Sequence, residues 1–361
     1  MNAKQKQLDS FSFIPDKWLL SSALHKLIRR GQSVQSIAIA LRLHATDPAY
    51  LRRRLPIIAL EDIGVGELSL CKEVITVCSS KKWWQENSTA TITSLVSRLA
   101  MAVKSRAACD AFCLTESHMD RSLLQTNLLK VDQYELVDIA SCKERPQLDR
   151  LIALRVMGGI TMTDGSYRRL SKLNVVALDL VAKNLGLSDT VRWLIACNAK
   201  TLGMAAMLPV VCDLVDGAIV KKGEAFPYAM SMVNEIPFCA WDMYTRAGKF
   251  ALKQFYLSSP ALQDFLHQQA PRSKAIQLIN TAMFQIESSS LDQYSSTHEL
   301  DKLKKATDDA EILSLGMTDI SSRFALYDLL WKSAEELARA RLDYLGLDPS
   351  TFDFHQEKSV A

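Results

Sequence analysis

Hydrophobic residues recur every three or four positions along most of the chain, which places them on one face of an α-helix. The spacing is clearest over residues 33–45 and 89–104, and no stretch shows the sustained alternation of a half-buried β-strand. Glycine and proline fall mainly between these segments, and there are only 13 Gly and 10 Pro in 361 residues. The pattern therefore predicts an all-α fold.

Helix boundaries can be placed at several positions. Gly31 follows the first helix, where a left-handed cap favours glycine, and Asp47-Pro48 has the order of an N-cap followed by proline in the first turn. Pro56 is expected to kink or split the next helix. Ser296 and Glu299 have capping-box spacing, and residues 319–345 are predicted to form one long final helix.

The length of 361 residues exceeds one ordinary core and predicts more than one helical domain. Polar residues at 141–146 and a serine-rich stretch at 288–297 are the candidate boundaries. We predict a flexible lead (1–16), a first helical domain (17–142), a second (147–288), C-terminal helices packing on the second (296–346), and a frayed tail (347–361).

Composition narrows the function only slightly. Eight cysteines are present without CxxC spacing, which favours free thiols in a reducing cytoplasm over a disulfide framework or a zinc site. The N-terminus has no apolar signal-peptide core, and no apolar run is long enough to predict a membrane span. No phosphate-binding loop, HExxH or GxSxG motif occurs, so we predict a non-enzymatic protein without a cofactor or metal.

Four separated blocks of the first third follow a familiar order. They are SALHKLIRRG at residues 22–31, DPAYLRRRL at 47–55, ALEDIG at 59–64, and RLA with KSR at 98–106. Their order and spacing resemble the C-terminal helical region of the replication-associated recombination protein A family, the AAA+ ATPases of the RarA/MgsA type. The resemblance covers about residues 18–130.

In that family the region is a helical collar that drives self-association behind an ATPase core, and the proteins act at stalled replication forks. The resemblance therefore implies a clamp-loader-collar-like domain followed by a second helical bundle. It also implies a homo-oligomer with a replication or repair protein, or DNA, as partner. The phosphate-binding loop of the ATPase is absent, and Pro56 interrupts a helix that is unbroken in the family's pattern.

Basic residues are concentrated at one place in the chain, although the net charge is only +3. Residues 17–54 hold eight Lys or Arg against one acid, and the candidates for contact with a DNA backbone or partner are Arg29, Arg30, Arg52, Arg53 and Arg54. The alternative is that these side chains point around several helix faces, where some are solvated and others pair with nearby carboxylates. Glu61 and Asp62 are predicted to form structural ion pairs with an arginine of this region, because adjacent helical residues make a poor catalytic dyad.

The most distinctive segment of the second half is residues 241–249. Asp242 and Arg246 are four residues apart and are expected to pair on one helix face, with Lys249, Trp241 and Tyr244 beside them. This face is a candidate site for a ligand or partner. The alternative is an amphipathic helix that places its two aromatic residues at the edge of the core.

These observations lead to three functional hypotheses. The first is a cytoplasmic, self-associating accessory or scaffold protein of DNA replication, DNA repair or mobile-element maintenance. The second is an enzyme or small-ligand-binding protein with a site in the C-terminal bundle. The third is a phage-defence component that uses the collar to sense replication machinery.

Overall fold

Helices dominate the computed structural model, which describes residues 15–163, 166–169 and 173–352. The all-α prediction is confirmed, since the described strands are short and pair only in twos. No helix in these ranges combines the length and apolar character needed to cross a bilayer. Most of the predicted lead and residues 353–361 of the predicted tail lie outside the described residues.

The N-terminal half contains nine α-helices and two other helical turns within the described ranges. These elements are α1 (Lys17–Arg29), α2 (Ser33–Thr46), α3 (Pro48–Ile58), a π-helical turn (Ala59–Ile63), a 3₁₀ turn (Gly64–Gly66), α4 (Leu68–Ser79), α5 (Lys81–Met101), α6 (Ala107–Ser117), α7 (Arg121–Leu128), α8 (Gln133–Ser141) and α9 (Gln147–Met157). A hairpin of β1 (Ile160–Thr163) and β2 (Ser166–Arg169) follows.

The second half mixes shorter helices with two small sheets. Its elements are α10 (Val175–Asn184), α11 (Asp189–Ala196), 3₁₀ turns (Asn198–Thr201 and Met204–Met207), α12 (Leu208–Asp213), β3 (Ile219–Lys222), β4 (Met232–Val233), β5 (Ile236–Pro237), a 3₁₀ turn (Phe238–Ala240), α13 (Arg246–Ser258), α14 (Pro260–Gln269), a 3₁₀ turn (Arg272–Lys274), α15 (Ala275–Met283), a π-helical turn (Phe284–Ser288), β6 (Gln293–Ser296), α16 (His298–Ser314), α17 (Ser322–Lys332), α18 (Ala334–Tyr344) and a 3₁₀ turn (Pro349–Thr351). β4 pairs with β5, and β3 pairs with β6, both antiparallel.

Helix α1 is the central element, because every residue from Leu19 to Arg29 is buried. It packs against α2 and α5 and against the 3₁₀ turn at residues 238–240. Its apolar side chains, such as Leu24 and Leu27, are fully buried. A helix covered on all sides must also bury its polar residues, and those residues form the candidate site.

The predicted ends of the first helices are confirmed. The Asp16 side chain caps α1 by accepting from the Leu19 N–H, and Asp47 caps α3 by accepting from the Tyr50 N–H. Pro48 lies in the first turn of α3, and Gly31 has φ = +67°.

Pro56 lies inside α3 and leads directly into the π-helical turn at residues 59–63. Gly64 closes this turn by donating its N–H to the Ala59 carbonyl, and its φ is +46°. A Cβ atom at Gly64 would lie 2.8 Å from the Ser105 carbonyl oxygen. The turn therefore ends against the backbone that precedes α6, which only glycine permits without a shift.

The prediction that residues 288–297 form a linker between domains is wrong, because this segment is a structured part of the core. β6 pairs with β3, and the Asp292 N–H donates to the Arg29 carbonyl at 2.9 Å. The capping box predicted for Ser296 and Glu299 is also wrong. Ser296 lies in β6 and donates to Asp301 at 2.8 Å, and the N-cap of α16 is Thr297.

The predicted domain boundaries do not separate packing units. Helices α8 and α9 pack directly against each other across residues 142–146, and α16 packs along α6 of the first third. The C-terminal helices therefore pack on both predicted domains. Phe352, which falls in the predicted frayed tail, stacks on Phe238 with ring centroids 5.7 Å apart.

The single long helix predicted over residues 319–345 is two helices, α17 and α18, with a break at Ser333. Helix α17 packs on α14 and α15, whereas α18 packs on α13. The break allows each helix to bury its apolar residues against a different neighbour, which a straight helix could not do.

Candidate functional site

The polar residues of α1 lie at intervals of three and four and share one buried face. Ser22, His25, Lys26 and Arg29 are all buried, as is the following residue, Arg30. Buried charges require partners, because the cost of removing an unpaired ion from water is several kcal/mol. The partners come from three distant parts of the chain.

The first set of partners is supplied by the π-helical turn that follows α3. The Asp62 carboxylate, which is fully buried, accepts from His25 Nδ1 at 2.8 Å, Arg29 Nε at 2.6 Å and Arg106 at 3.0 Å. Glu61 accepts from the same two arginines at 2.8 and 3.1 Å. The structural ion pairs predicted for Glu61 and Asp62 are therefore confirmed.

These contacts determine the charge state of both carboxylates. Burial alone would raise their pKa values, but the surrounding cationic groups outweigh it. The pKa of Glu61 falls to about 2, and that of Asp62 falls well below its ordinary value. Both groups are ionised at neutral pH and are held between Arg29 and Arg106.

His25 is neutral in this arrangement. Arg54 donates from Nε to His25 Nε2 at 2.9 Å, so Nε2 carries the lone pair and Nδ1 donates to Asp62. Burial, together with the charge of Arg54, lowers the pKa of His25 to about 4. Ligand atoms of His25, Glu61 and Asp62 lie close enough together to suggest a metal site. Arg29, Arg54 and Arg106 occupy the lone pairs that a metal ion would need, so the geometry favours an ion network instead.

A second buried ion pair joins α1 to the segment before α13. Lys26 Nζ donates to the Asp242 carboxylate and to Ser22 Oγ, and Ser22 donates to the same carboxylate at 3.2 Å. Burial lowers the pKa of Lys26, and the nearby Asp242 opposes this effect. Asp242 also accepts from the Tyr244 N–H at 2.9 Å, which fixes the backbone that leads into α13.

The buried charges surround a cavity of about 670 Å³, which we call the central cavity. The side chains that line it include aromatic, acidic, basic and thiol groups, among them Trp18, His25, Lys26, Arg29, Tyr50, Arg54, Glu61, Arg106, Cys109, Asp110, Phe112, Cys113, Asp242, Tyr244, Phe284, Lys304, Asp308 and Glu311. Phe284 is at the centre of the cationic wall, with Lys26, Arg29 and Arg106 all within 5.9 Å of its ring centroid. The volume falls within the range of about 300–1,000 Å³ that is typical of small-molecule pockets.

The opposite wall is formed by α16. Lys304 pairs with Asp308 at 2.8 Å, and Glu311 accepts from Gln285 at 2.8 Å. Burial raises the pKa of Glu311 to about 7, and burial also raises the pKa of Asp110, which lines the cavity from α6. This wall therefore carries less negative charge than its number of carboxyl groups suggests.

The structure distributes the five predicted arginines between different environments. Arg29 and Arg30 are buried, and Arg30 donates to the carbonyls of Lys26 and Glu287. The prediction of an exposed DNA-contacting surface is wrong for these two residues, because their donors are used inside the protein. Arg52 donates to the Cys78 carbonyl at 2.8 Å, Arg53 is exposed, and Arg54 lines the cavity.

The residues of the segment 241–249 also lie in different environments. Thr245 caps α13, so the helix begins at Arg246, and the expected pairing of Asp242 with Arg246 gives way to the pairing of Asp242 with Lys26. Trp241 is fully buried, whereas Tyr244 is 65% exposed and projects into the cavity. Arg246 and Lys249 are exposed and do not line it.

Several site residues were not predicted from the sequence. Lys26 and Arg106 lie within the recognised blocks, yet nothing local marks them as buried partners of distant carboxylates. Lys304, Asp308 and Glu311 are spaced four and three apart, which places them on one face of α16. That spacing is a usable signal, although it also fits a solvated helix face.

Replacing Asp62 with asparagine tests the ion network. Asp62→Asn preserves the side-chain volume but leaves Arg29 and Arg106 short of negative charge in a buried site. We expect a loss of about 3–5 kcal/mol in the free energy of unfolding, measured by urea denaturation. The matched control is Glu73→Gln, which removes the half-exposed pair with Arg98 and should cost about 0–1 kcal/mol. Equal losses for the two variants would contradict the assignment.

Glu311 should make stability depend on pH. Because the pKa of its carboxyl is raised from 4.5 to about 7, the folded chain holds a proton that the unfolded chain releases in this interval. Wild-type stability is therefore lost as pH rises through 7, and glutamine cannot titrate. We expect the stability of Glu311→Gln relative to wild type to increase by roughly 2 kcal/mol between pH 5 and pH 8. The control is Glu299→Gln, which removes an exposed carboxylate of the same helix; parallel curves for Glu311→Gln and wild type would exclude the effect.

No family model, curated protein or solved structure matches the chain. The resemblance to the replication-associated recombination family therefore rests on the residue blocks alone.

Proposed function

We propose that the protein binds a small organic molecule in the central cavity. The observation that carries this proposal is the cavity of about 670 Å³ lined by buried charged groups and aromatic rings. Pockets that bind small molecules have volumes of about 300–1,000 Å³, with mainly apolar walls and a few polar groups that fix orientation. This proposal corresponds to the second sequence hypothesis, a small-ligand-binding protein. The proposed site is different, because it lies between the first third of the chain and the later helices and not within the C-terminal bundle.

The walls of the cavity support this proposal because they come from elements far apart in the chain. Helices α1 and α3 supply one side, α6 and α16 supply another, and the segment around Asp242 and Tyr244 completes it. Ion pairs join α1, the turn after α3, the start of α6 and Asp242, and Thr307 of α16 donates to the Asp110 carbonyl at 2.9 Å. The cavity therefore exists before a ligand arrives. A preformed site loses less free energy to ordering when the ligand binds.

A blocking variant tests the proposal. Ala199 is exposed and lines the cavity, so Ala199→Trp should fill its mouth without disturbing the core. We expect Nile red, an uncharged dye whose fluorescence rises in apolar sites, to bind wild type and to bind Ala199→Trp at least ~10-fold more weakly. Ala196→Trp is the matched control, because Ala196 is also exposed but does not line the cavity. Identical titrations of the two variants would rule out the cavity as the binding site.

A second proposal keeps the sequence hypothesis of an accessory protein in DNA replication, repair or mobile-element maintenance. The observation that favours it is the position of the residues that carry the resemblance. His25, Arg29, Glu61, Asp62 and Arg106 come from three of the four blocks and meet in one ion network. The blocks are therefore joined to one another, as the resemblance would require. Self-association would then depend on their apolar surface, and DNA contact on exposed residues such as Arg53.

This second proposal is tested by size-exclusion chromatography with light scattering. The protein, of 40.3 kDa per chain, is run alone and with forked DNA at about 50 mM and 200 mM salt. We expect a multiple of the chain mass, and a DNA complex that weakens strongly at the higher salt. A strictly monomeric protein that binds neither DNA nor a replication protein would contradict the proposal.

A further inference from the structure

We infer that the ligand of the central cavity carries a carboxylate or phosphate group that Arg54 binds, next to an aromatic or heteroaromatic ring. This inference rests on the proposed ligand-binding function. It specifies the chemistry of the ligand and assigns a specificity-determining residue.

Arg54 differs from the other cations of the cavity in its pairing. Lys26 pairs with Asp242, Lys304 pairs with Asp308, and both Arg29 and Arg106 pair with Glu61 and Asp62. Arg54 forms no ion pair with any carboxylate in the described part of the chain, and its one hydrogen bond to a side chain there is the bond to neutral His25. It is therefore the cavity-lining cation whose charge the described residues do not neutralise.

The geometry of the guanidinium leaves its outer donors available. A guanidinium carries five N–H donors, and Nε of Arg54 uses one on His25 Nε2 at 2.9 Å. The two terminal nitrogens form a planar fork that matches the two oxygens of a carboxylate or phosphate. The bond to His25, which Asp62 holds in turn, restricts the orientation of this fork and reduces the ordering that binding requires.

The charge around the cavity favours an anion over a cation. Five cations and five carboxyl groups line it. Three of the carboxylates are already paired, and the other two, Asp110 and Glu311, have raised pKa values. Burial raises the pKa of Glu311 to about 7, so this group opposes an anion less than an ionised carboxylate would. A cationic ligand would find few unpaired negative groups and would face Arg54 directly.

Two aromatic side chains that line the same cavity as Arg54 indicate the ring. Trp18 and Tyr50 both line the cavity, with ring centroids 5.5 Å apart in an edge-to-face arrangement. Tyr50 donates to Ser21 at 3.2 Å, which holds its ring in place, and Trp18 is 54% exposed and thus open to contact. A planar ring attached to the anionic group can pack against these side chains while Arg54 binds the charge.

Matched pairs of probes separate the charge from the ring. Isothermal titration calorimetry compares adenosine 5′-monophosphate with adenosine, and indole-3-acetate with indole-3-acetamide, on wild type, Arg54→Gln and Arg54→Lys. We expect at least one anion to bind wild type at least ~10-fold more tightly than its uncharged twin. Arg54→Gln should remove that advantage without changing the binding of the twin, and Arg54→Lys should restore part of it.

The matched control is Arg53→Gln, because Arg53 is the adjacent arginine but is exposed and does not line the cavity. Thermal unfolding of each variant shows that it is folded. Equal anion binding by wild type and Arg54→Gln would overturn the inference, as would the absence of binding by both anions. If Nile red still binds wild type and is blocked by Ala199→Trp, the ligand-binding function survives while the anion preference fails. If Nile red and all four probes fail to bind, both proposals fail.

Discussion

Burial of the Asp62 carboxylate is the constraint on which the rest of the structure depends. A carboxylate without exposure to water remains ionised only if cations and hydrogen-bond donors replace its hydration, and the penalty for losing one partner is several kcal/mol. Its three partners come from α1 and from the residue before α6. Keeping them together fixes α1, the turn after α3 and the start of α6 relative to one another. Those are the elements that carry the recognised sequence blocks.

Two π-helical turns aim polar groups at this cluster. The first, after α3, carries Glu61 and Asp62, and the second, after α15, provides the carbonyls of Glu287 and Ser288 to Arg30 and Arg29. Glu287 also pairs with Arg341 of α18 through both carboxylate oxygens. π-Helical turns are often found at functional sites because they displace side chains from the regular helical positions. Here the first turn connects α1 to the start of α6 and the second connects α1 to α18, and residues of both turns line the central cavity.

The same ion network bears on both proposed functions. It fixes the cavity walls formed by α1, the turn after α3 and the start of α6, and it joins three of the four sequence blocks. Arg29 is buried in this network and Arg30 is buried against the Lys26 and Glu287 carbonyls, so that any contact with DNA must involve other residues. A ligand bound to Arg54 would be linked to the ion network through His25. Its binding would therefore also affect the stability of the helices that the network joins.

The sequence by itself determined the helices, many of their ends and the pairing of Glu61 and Asp62 with an arginine of the same region. The helices and their ends depend on periodicity and capping, which are local properties of the chain. The arginine partners, Arg29 and Arg106, lie 33 and 44 residues from Asp62, so the sequence indicated only their region. The composition of the candidate site was decided by the tertiary structure, which brings distant residues together. The pairing of Lys26 with Asp242 spans 216 residues, and the serine-rich stretch became a strand because β3 and the Arg29 backbone bind it. No local pattern distinguishes a buried arginine from a solvated one, since both occupy similar helical positions. Whether an arginine is buried depends on carboxylates from distant parts of the chain, which only the tertiary structure brings next to it.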